Sequence, residues 1–194
     1  RIDKKMSAVL DEMRSLSRTT GHGAIFGVAG FSGSGKTTLA EKLIRCFCER
    51  NIEIAVVKHA HQHFEADHEG KDSYRLREAG SRQVMVSSVA RSALFTEHKR
   101  QGEPSLTELL HRLEPATLVL VEGFKKEPIP KLEVWREANQ SPLLFLEDKT
   151  ILAMVSDDAI KGLQIPRFNM NETQKIADFI ISTLGLFSTD VRSS

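Results

Sequence analysis

The sequence holds only two cysteines, one tryptophan and one tyrosine, carries almost no net charge, and contains no long apolar run. Each scarcity excludes something. Cys46 and Cys48 stand two apart, which matches no C-x-x-C site, and residues at that spacing on a helix face away from each other. A disulfide scaffold is excluded, and a reduced, cytoplasmic protein is expected. Lys and Arg number 27 against 26 Asp and Glu, a formal charge of +1. That balance argues against a general polyelectrolyte binder of nucleic acid or anionic membrane. The longest aliphatic runs, such as 118–121 and 151–155, fall far short of the ~20 residues that a spanning helix requires. No secretory leader is read at the start, and no membrane partner is expected.

What is present suffices for a packed core: 40% of the 194 residues are hydrophobic, and the length suits one domain with a small appendage. Residues 6–16 place Met6, Val9, Leu10, Met13 and Leu16 at helical spacing, and 17–23 is rich in Ser, Thr and Gly. Residues 1–23 therefore read as a helical appendage and linker, whether native, a tag or a fusion remnant. Residues 24–187 read as the main domain and 188–194 as a disordered tail.

From residue 24, short apolar runs alternate with helical patterns, the signature of βαβ units around a mostly parallel sheet flanked by helices. Strands are expected at 25–29, 52–57, 117–121, 143–146 and 151–155. Helices are expected at 35–49 (with Ala40, Leu43, Ile44 and Phe47 inward), at 72–79 and at 171–184. Another is expected at 104–113, with Pro104 in its first turn. Segments 83–87 and 92–96 read as a hairpin. In 131–136, Leu132, Val134 and Arg136 alternate with Lys131, Glu133 and Trp135, which reads as an edge strand or exposed ribbon.

The sharpest signal is Gly30-Phe-Ser32-Gly33-Ser34-Gly35-Lys36-Thr37, which satisfies G-x-x-x-x-G-K-[ST] and is followed by Thr38. Glycines let successive N–H groups converge on one anion where a Cβ would crowd it. The helix that follows aims its N-terminal dipole at the same place. Lys36 suits the β- and γ-phosphates, and the Thr37 hydroxyl suits Mg²⁺. By chance the four constrained positions recur in about one chain per hundred of this size. An apolar strand before the loop and an amphipathic helix after it make chance a poor account.

Such a loop needs a carboxylate at the end of a neighbouring strand. Leu118-Val-Leu-Val121-Glu122-Gly123 offers Glu122, whose other account is an ordinary carboxylate at a strand end. Asp67 and Asp72 are further acidic candidates for metal or γ-phosphate contact, because they follow the second strand, where related folds carry a nucleotide-sensing loop. His59, His61, His63 and His68 fall within ten residues and suggest Zn²⁺ or Ni²⁺. They lie mostly two apart with no second Cys or His group to close a site, so polar loop residues beside phosphates describe them equally.

Three stretches carry a family resemblance. They are 30–38; Val57-Lys58-His59-Ala-His61-Gln-His63-Phe64-Glu-Ala-Asp67 through Gly70-Lys71-Asp72-Ser73-Tyr-Arg75; and Val119-Leu-Val-Glu122-Gly123-Phe124-Lys125 with Pro130-Lys131-Leu-Glu133-Val-Trp-Arg136. Together they resemble the MobB family, the adaptors of molybdopterin-guanine dinucleotide biosynthesis, over residues 25–185. The resemblance implies an α/β phosphate-loop NTPase fold like that of the signal-recognition and nickel-insertion GTPases. It further implies GTP and Mg²⁺, weak GTPase activity, a homodimer, and partnership with the guanylyltransferase MobA. Molybdopterin or its molybdate-bound form is a further candidate ligand. Family members often carry adjacent histidines after the Lys-His pair, whereas here the order is His61-Gln62-His63.

Among the remaining residues, Lys58 is the best placed cation, because it closes a strand at the carboxyl end where α/β proteins bind ligands. Arg75, Arg77, Arg82, Lys125, Lys126 and Lys131 add positive charge that solvated surface placement explains as well. No N-K-x-D motif appears, so guanine reading falls to Ser156-Asp157-Asp158, with Asp157 taken first and helix capping an equal account. Trp135 suits a dimer or partner surface, or ordinary packing. The expected site is thus Lys36, Glu122 and Asp67 for the chemistry, and Thr37, Glu122 and Asp67 for the metal. Gly30, Ser32, Gly33, Ser34, Gly35, Lys36, Thr37, Thr38, Lys58 and Asp157 would bind nucleotide. Two rival classes use the same residues differently: a small-molecule kinase drawing on Arg75 and Arg77, and a nickel or zinc metallochaperone drawing on His59, His61 and His63.

Overall fold

The computed structural model describes residues 4–60, 66–98 and 102–186. Within them the chain divides into two compact units, one of residues 4–59 and 109–186 and the other of the described residues between 60 and 108.

The larger unit is built on a six-stranded sheet. Strands β1 (Ala24–Ala29), β2 (Ile54–Lys58), β5 (Leu118–Glu122), β6 (Lys131–Val134), β7 (Ile151–Val155) and β8 (Arg167–Phe168) run in the order β2-β5-β1-β6-β7-β8. Every pairing between them is parallel. Residues of β1, β5 and β7 are buried throughout, as near-continuous Val, Ile and Leu runs require when helices cover both faces. Helix α2 (Lys36–Glu49) buries Leu39, Ala40, Leu43, Cys46 and Phe47, and packs against α5 (Thr173–Leu184), which buries Ile176, Ala177, Ile180 and Leu184. Ile44, expected inward, is only half-buried, and Cys46 takes the inward position instead.

Helix α1 (Lys4–Thr20) runs past the end expected for it and packs on β1. Leu10, Met13, Ser17 and Thr20 are buried, so most of the segment read as a linker is the last turn of a docked helix. His22 fixes its exit: Nε2 lies 3.0 Å from the Leu110 carbonyl, and Nδ1 accepts from the Ala116 N–H at 3.2 Å. A buried imidazole with both nitrogens engaged ties the chain down where Ser and Gly alone suggested freedom.

Two strand readings are overturned. Segment 131–136 is neither an edge nor a ribbon: β6 lies between β1 and β7, and all four of its residues are buried. Its alternation misleads because two charged residues lie inside the protein. Lys131 donates from Nζ to the carbonyls of Lys125 (3.0 Å) and Glu127 (2.6 Å) and to Asp148 Oδ2 (2.8 Å). Glu133 accepts from the N–H groups of Leu144 (2.9 Å) and Phe145 (3.0 Å). Trp135 is half-buried, with its indole N–H on the Ser141 carbonyl at 2.9 Å. Segment 143–146 forms a 3₁₀ helix at Leu144–Leu146 instead of a strand. The Leu144 and Phe145 N–H groups go to the Glu133 carboxylate instead of to a strand ladder.

The smaller unit contains α3 (Asp72–Glu78) and the antiparallel hairpin of β3 (Gln83–Ser87) and β4 (Ser92–Thr96), at the boundaries expected for the hairpin. Helix α3 stops before Gly80, as the sequence reading has it. Helix α4 (Leu106–Leu110) is shorter than the expected 104–113 at both ends, and Ser105, not Pro104, sets its start. Ser105 and Glu108 form a reciprocal capping box, Ser105 N–H to Glu108 Oε2 at 2.8 Å and Glu108 N–H to Ser105 Oγ at 3.2 Å.

Candidate functional site

The strand order sets where the site falls. Leaving β1, the chain reaches β2 and then β5 on one side, and β6, β7 and β8 on the other. The crevice at the carboxyl ends of β5, β1 and β6 is thus the topological switch point of the sheet. The phosphate loop leaves β1 there.

Gly30 and Gly35 show why the loop needs glycine. Gly30 has φ +142°, and a Cβ on it would overlap the Val134 carbonyl and come within 2.8 Å of Ser34 Oγ. Gly35 caps α2 in the left-handed region at φ +99°, where a Cβ would meet the Arg136 guanidinium at 3.1 Å. Ser34 is buried, and its Oγ has no hydrogen-bond partner among the described residues. An orphaned buried hydroxyl in a glycine cradle fits a phosphate oxygen as its missing partner.

Across the crevice, register aligns Lys58 of β2 and Val28 of β1 with Glu122 of β5. The Thr37 hydroxyl donates to Glu122 Oε1 at 2.9 Å. Lys58 Nζ donates to Thr37 Oγ1 at 3.0 Å and lies 3.4 Å from Glu122 Oε1. Glu122 is almost wholly buried, whereas the Lys58 side chain is 51% exposed. Lys36 is half-buried and donates to the Phe31 carbonyl at 2.8 Å. Burial holds its pKa below the ordinary lysine value; the Glu122 carboxylate opposes that, while Lys125 and Lys58 push it further down. A cation held in this way is relieved by an incoming anion.

The structure therefore brings together Gly30, Ser32, Gly33, Ser34, Gly35, Lys36, Thr37, Thr38, Lys58 and Glu122 at one crevice. Thr37 and Glu122 offer the oxygen donors that Mg²⁺ prefers, and Lys58 already places a cation against both, so the residues fit a nucleotide with its metal ion. Asp157 accepts the Met170 N–H at 2.9 Å through Oδ1, and Asp158 accepts the Glu137 N–H at 2.8 Å. Both follow β7 on the same side of the sheet. Asp67 belongs to the smaller unit. There its Oδ1 accepts from Ser73 Oγ at 2.8 Å, and its Oδ2 stands 3.4 Å from Arg77 Nε. Arg77 in turn donates to Glu97 at 3.0 Å. Asp72 pairs with Arg75 on the exposed face of α3.

Other sequence expectations part company. Lys131 sits at the amino end of β6, buried on Asp148, and adds nothing to the crevice. The His59 ring packs on Phe124 with centroids 5.1 Å apart. His61 and His63 lie outside the described residues, and among those described no group of three or more His, Cys, Asp or Glu could hold a metal ion. Two residues beside the loop were given no site role by the sequence. Asn139 Nδ2 donates to the Ser32 carbonyl at 3.3 Å, and the Arg136 guanidinium flanks Gly35. Arg136 directly follows a strand, but only the strand order reveals that this strand neighbours β1.

Comparison with known proteins identifies the family. The family model of MobB, described as molybdopterin guanine dinucleotide synthesis protein B, matches residues 25–157. A Haemophilus influenzae relative named molybdopterin-guanine dinucleotide biosynthesis adapter protein is 42% identical over 167 residues, covering 84% of this chain and 90% of the relative. The Escherichia coli protein of the same name is 39% identical, covering 79% and 89%. A crystal structure of molybdopterin-guanine biosynthesis protein B is 28% identical, with a TM-score of 0.64 over 83% of this chain and 99% of that one. Bacillus subtilis MobB gives 26% and 0.63 over 82% and 97%. No helix among the described residues is long and apolar enough to cross a membrane. With the family model matching residues 25–157 and most of its length aligned to these relatives at 39–42% identity, the chain belongs to the MobB family.

Proposed function

We propose that this chain serves as an adapter in molybdopterin guanine dinucleotide biosynthesis and does so as a GTP-binding protein that requires Mg²⁺. Its family and its relatives' names support the adapter role. The observation that carries nucleotide binding is the Thr37–Glu122 contact at 2.9 Å, made by the residue that follows the glycine loop and Lys36. In this reading the loop amides and Lys36 hold the phosphates, while Thr37 and Glu122 hold the metal. Asp157 reads the guanine, with one carboxylate oxygen engaged on Met170. GTP supplies a phosphoric anhydride whose slow hydrolysis belongs to the same proposal. A MobA-like guanylyltransferase, a molybdopterin ligand, a homodimer and a cytoplasmic setting complete the reading.

Titration calorimetry with GTP, ATP and their diphosphates, with and without Mg²⁺, tests it. A guanine preference is expected, and Lys36→Ala is expected to abolish binding while leaving the fold intact. Equal affinity in that variant ends the reading. Phosphate transferred to a pterin or nucleoside acceptor, instead of released, replaces it with the kinase.

A further inference from the structure

Lys58 occupies an unusual place for a phosphate-binding lysine. Its ammonium is directed at the two oxygen donors of the metal site. The Thr37 hydroxyl spends its proton on Glu122 at 2.9 Å, so only its lone pairs face outward, and Lys58 takes one at 3.0 Å. The same ammonium is 3.4 Å from the oxygen that accepts from Thr37. Three atoms thus form one closed triangle with a cation at its apex.

Lys58 gives Glu122 a counter-charge at contact distance, in addition to the Lys36 charge that the same carboxylate faces. The Glu122 side chain is 8% exposed, and a buried carboxylate without a counter-charge is strongly disfavoured. Mg²⁺ binds oxygen at ~2.0–2.1 Å and demands the same lone pairs. Two cations cannot share those oxygens at such separations without severe repulsion. Lys58 is free to leave, because its side chain is half exposed at the end of edge strand β2.

We propose that Lys58 is a tethered cation that holds the metal-ion position, so that Thr37 and Glu122 accept Mg²⁺ only when the Lys58 ammonium withdraws. This inference rests on the nucleotide-and-metal reading above. It makes Lys58 the residue that sets how much Mg²⁺ the site requires, in addition to any contact with phosphate.

The test is GTP calorimetry across a Mg²⁺ series on the wild-type chain, Lys58→Met and Lys58→Arg. Removing one charge-assisted hydrogen bond, about 1.4 kcal/mol, lowers the Mg²⁺ midpoint about tenfold in Lys58→Met. Lys58→Arg keeps the charge and stays near the wild-type midpoint. An unchanged or higher midpoint in Lys58→Met overturns the proposal. If the wild-type chain binds no nucleotide at all, the proposed function fails, and thermal melting with Mg²⁺ alone decides the inference. Mg²⁺ should then stabilise Lys58→Met at concentrations that leave the wild-type chain unmoved. The same response in both chains, including none, overturns it.

Discussion

Two lysines stand at opposite ends of one parallel sheet and use the same charge differently. Lys131 opens β6 and is 1% exposed, its three N–H groups spent on two carbonyls and the Asp148 carboxylate. Lys58 closes β2, half exposed, and leans on Thr37 and Glu122. In the first pair the ammonium is the buried partner; in the second it is the carboxylate. A fully satisfied buried cation has nothing left to offer a ligand, and its removal is a matter of folding. An exposed cation on a buried acid is replaceable, and its removal is a matter of which cation comes next. Position along the strand agrees: ligands bind at the carboxyl ends of parallel strands, where Lys58 lies.

The largest effect that would sharpen this contrast is on Lys131. Lys131→Met strands Asp148 and leaves the carbonyls of Lys125 and Glu127 without their donor. Breaking a fully buried pair from one side costs about 3–5 kcal/mol, and with the Asp148 side chain 27% exposed the low end, about 3 kcal/mol, is expected. Burial pushes the Asp148 carboxyl up, but its bonds to Lys131 and Thr150 together hold it below the usual carboxylate value. The variant loses that stabilising bond as well. Urea denaturation should show the loss with nucleotide affinity unchanged once the chain is folded. A loss within 1 kcal/mol would mean Lys131 is no more structural than Lys58, and the contrast would collapse.

Both lysines also show what a sequence can and cannot disclose. The phosphate loop was legible because its chemistry is local: eight consecutive residues carry the cradle, the lysine and the hydroxyl. Glu122 was legible because an apolar run ends on it. Which strands flank β1 is a tertiary fact, so Arg136 and Asn139 went unseen beside the loop. The alternation of 131–136 was read as exposure because Lys131 and Glu133 have partners 4 to 17 residues away, and no periodicity shows those. The same carboxylate turned 143–146 from an expected strand into a 3₁₀ turn. Strand β8, two residues long, is below what patterning can register.

Glu133 provides a second, smaller way to break the comparison. It is fully buried on the N–H groups of Leu144 and Phe145. Burial chiefly raises its pKa above the usual 4.5, those two bonds lower it, and Asp148 adds to the rise. Glu133→Gln keeps one acceptor oxygen and turns an NH₂ toward an amide donor, at a cost of about 1–3 kcal/mol. For a carboxyl whose folded pKa is raised, the associated stability is complete below the unfolded value and lost as pH rises through the folded one. The gap between wild type and Glu133→Gln should therefore narrow as pH rises from about the unfolded carboxylate value of 4.5 toward neutrality. Chemical denaturation at several pH values reads this directly. A widening gap would mean that the ionised carboxylate is the form the fold prefers.

The smallest effect concerns the third lysine, Lys36, which stands between the other two in character. Its one neutral acceptor, the Phe31 carbonyl, does not compensate for burial, so its pKa lies below the ordinary 10.5. In the pH range between that lowered value and 10.5 the unfolded chain binds more protons. This contribution to stability therefore improves as pH climbs to 10.5 and is an unrelieved cost below the folded value. Ligand binding inverts the sign. A phosphate anion against Lys36 favours the charged form and restores the proton, so the complex takes up protons at alkaline pH. Affinity for GTP should decline as pH rises through the lowered value, with fractional proton uptake below one. Calorimetry in two buffers of different ionisation enthalpy measures that fraction. Lys58→Met should make the uptake smaller, because the Lys58 charge is one of the forces depressing Lys36. An unchanged uptake would mean that the Lys58 charge adds nothing to the shift and that Lys36 and Lys58 act independently.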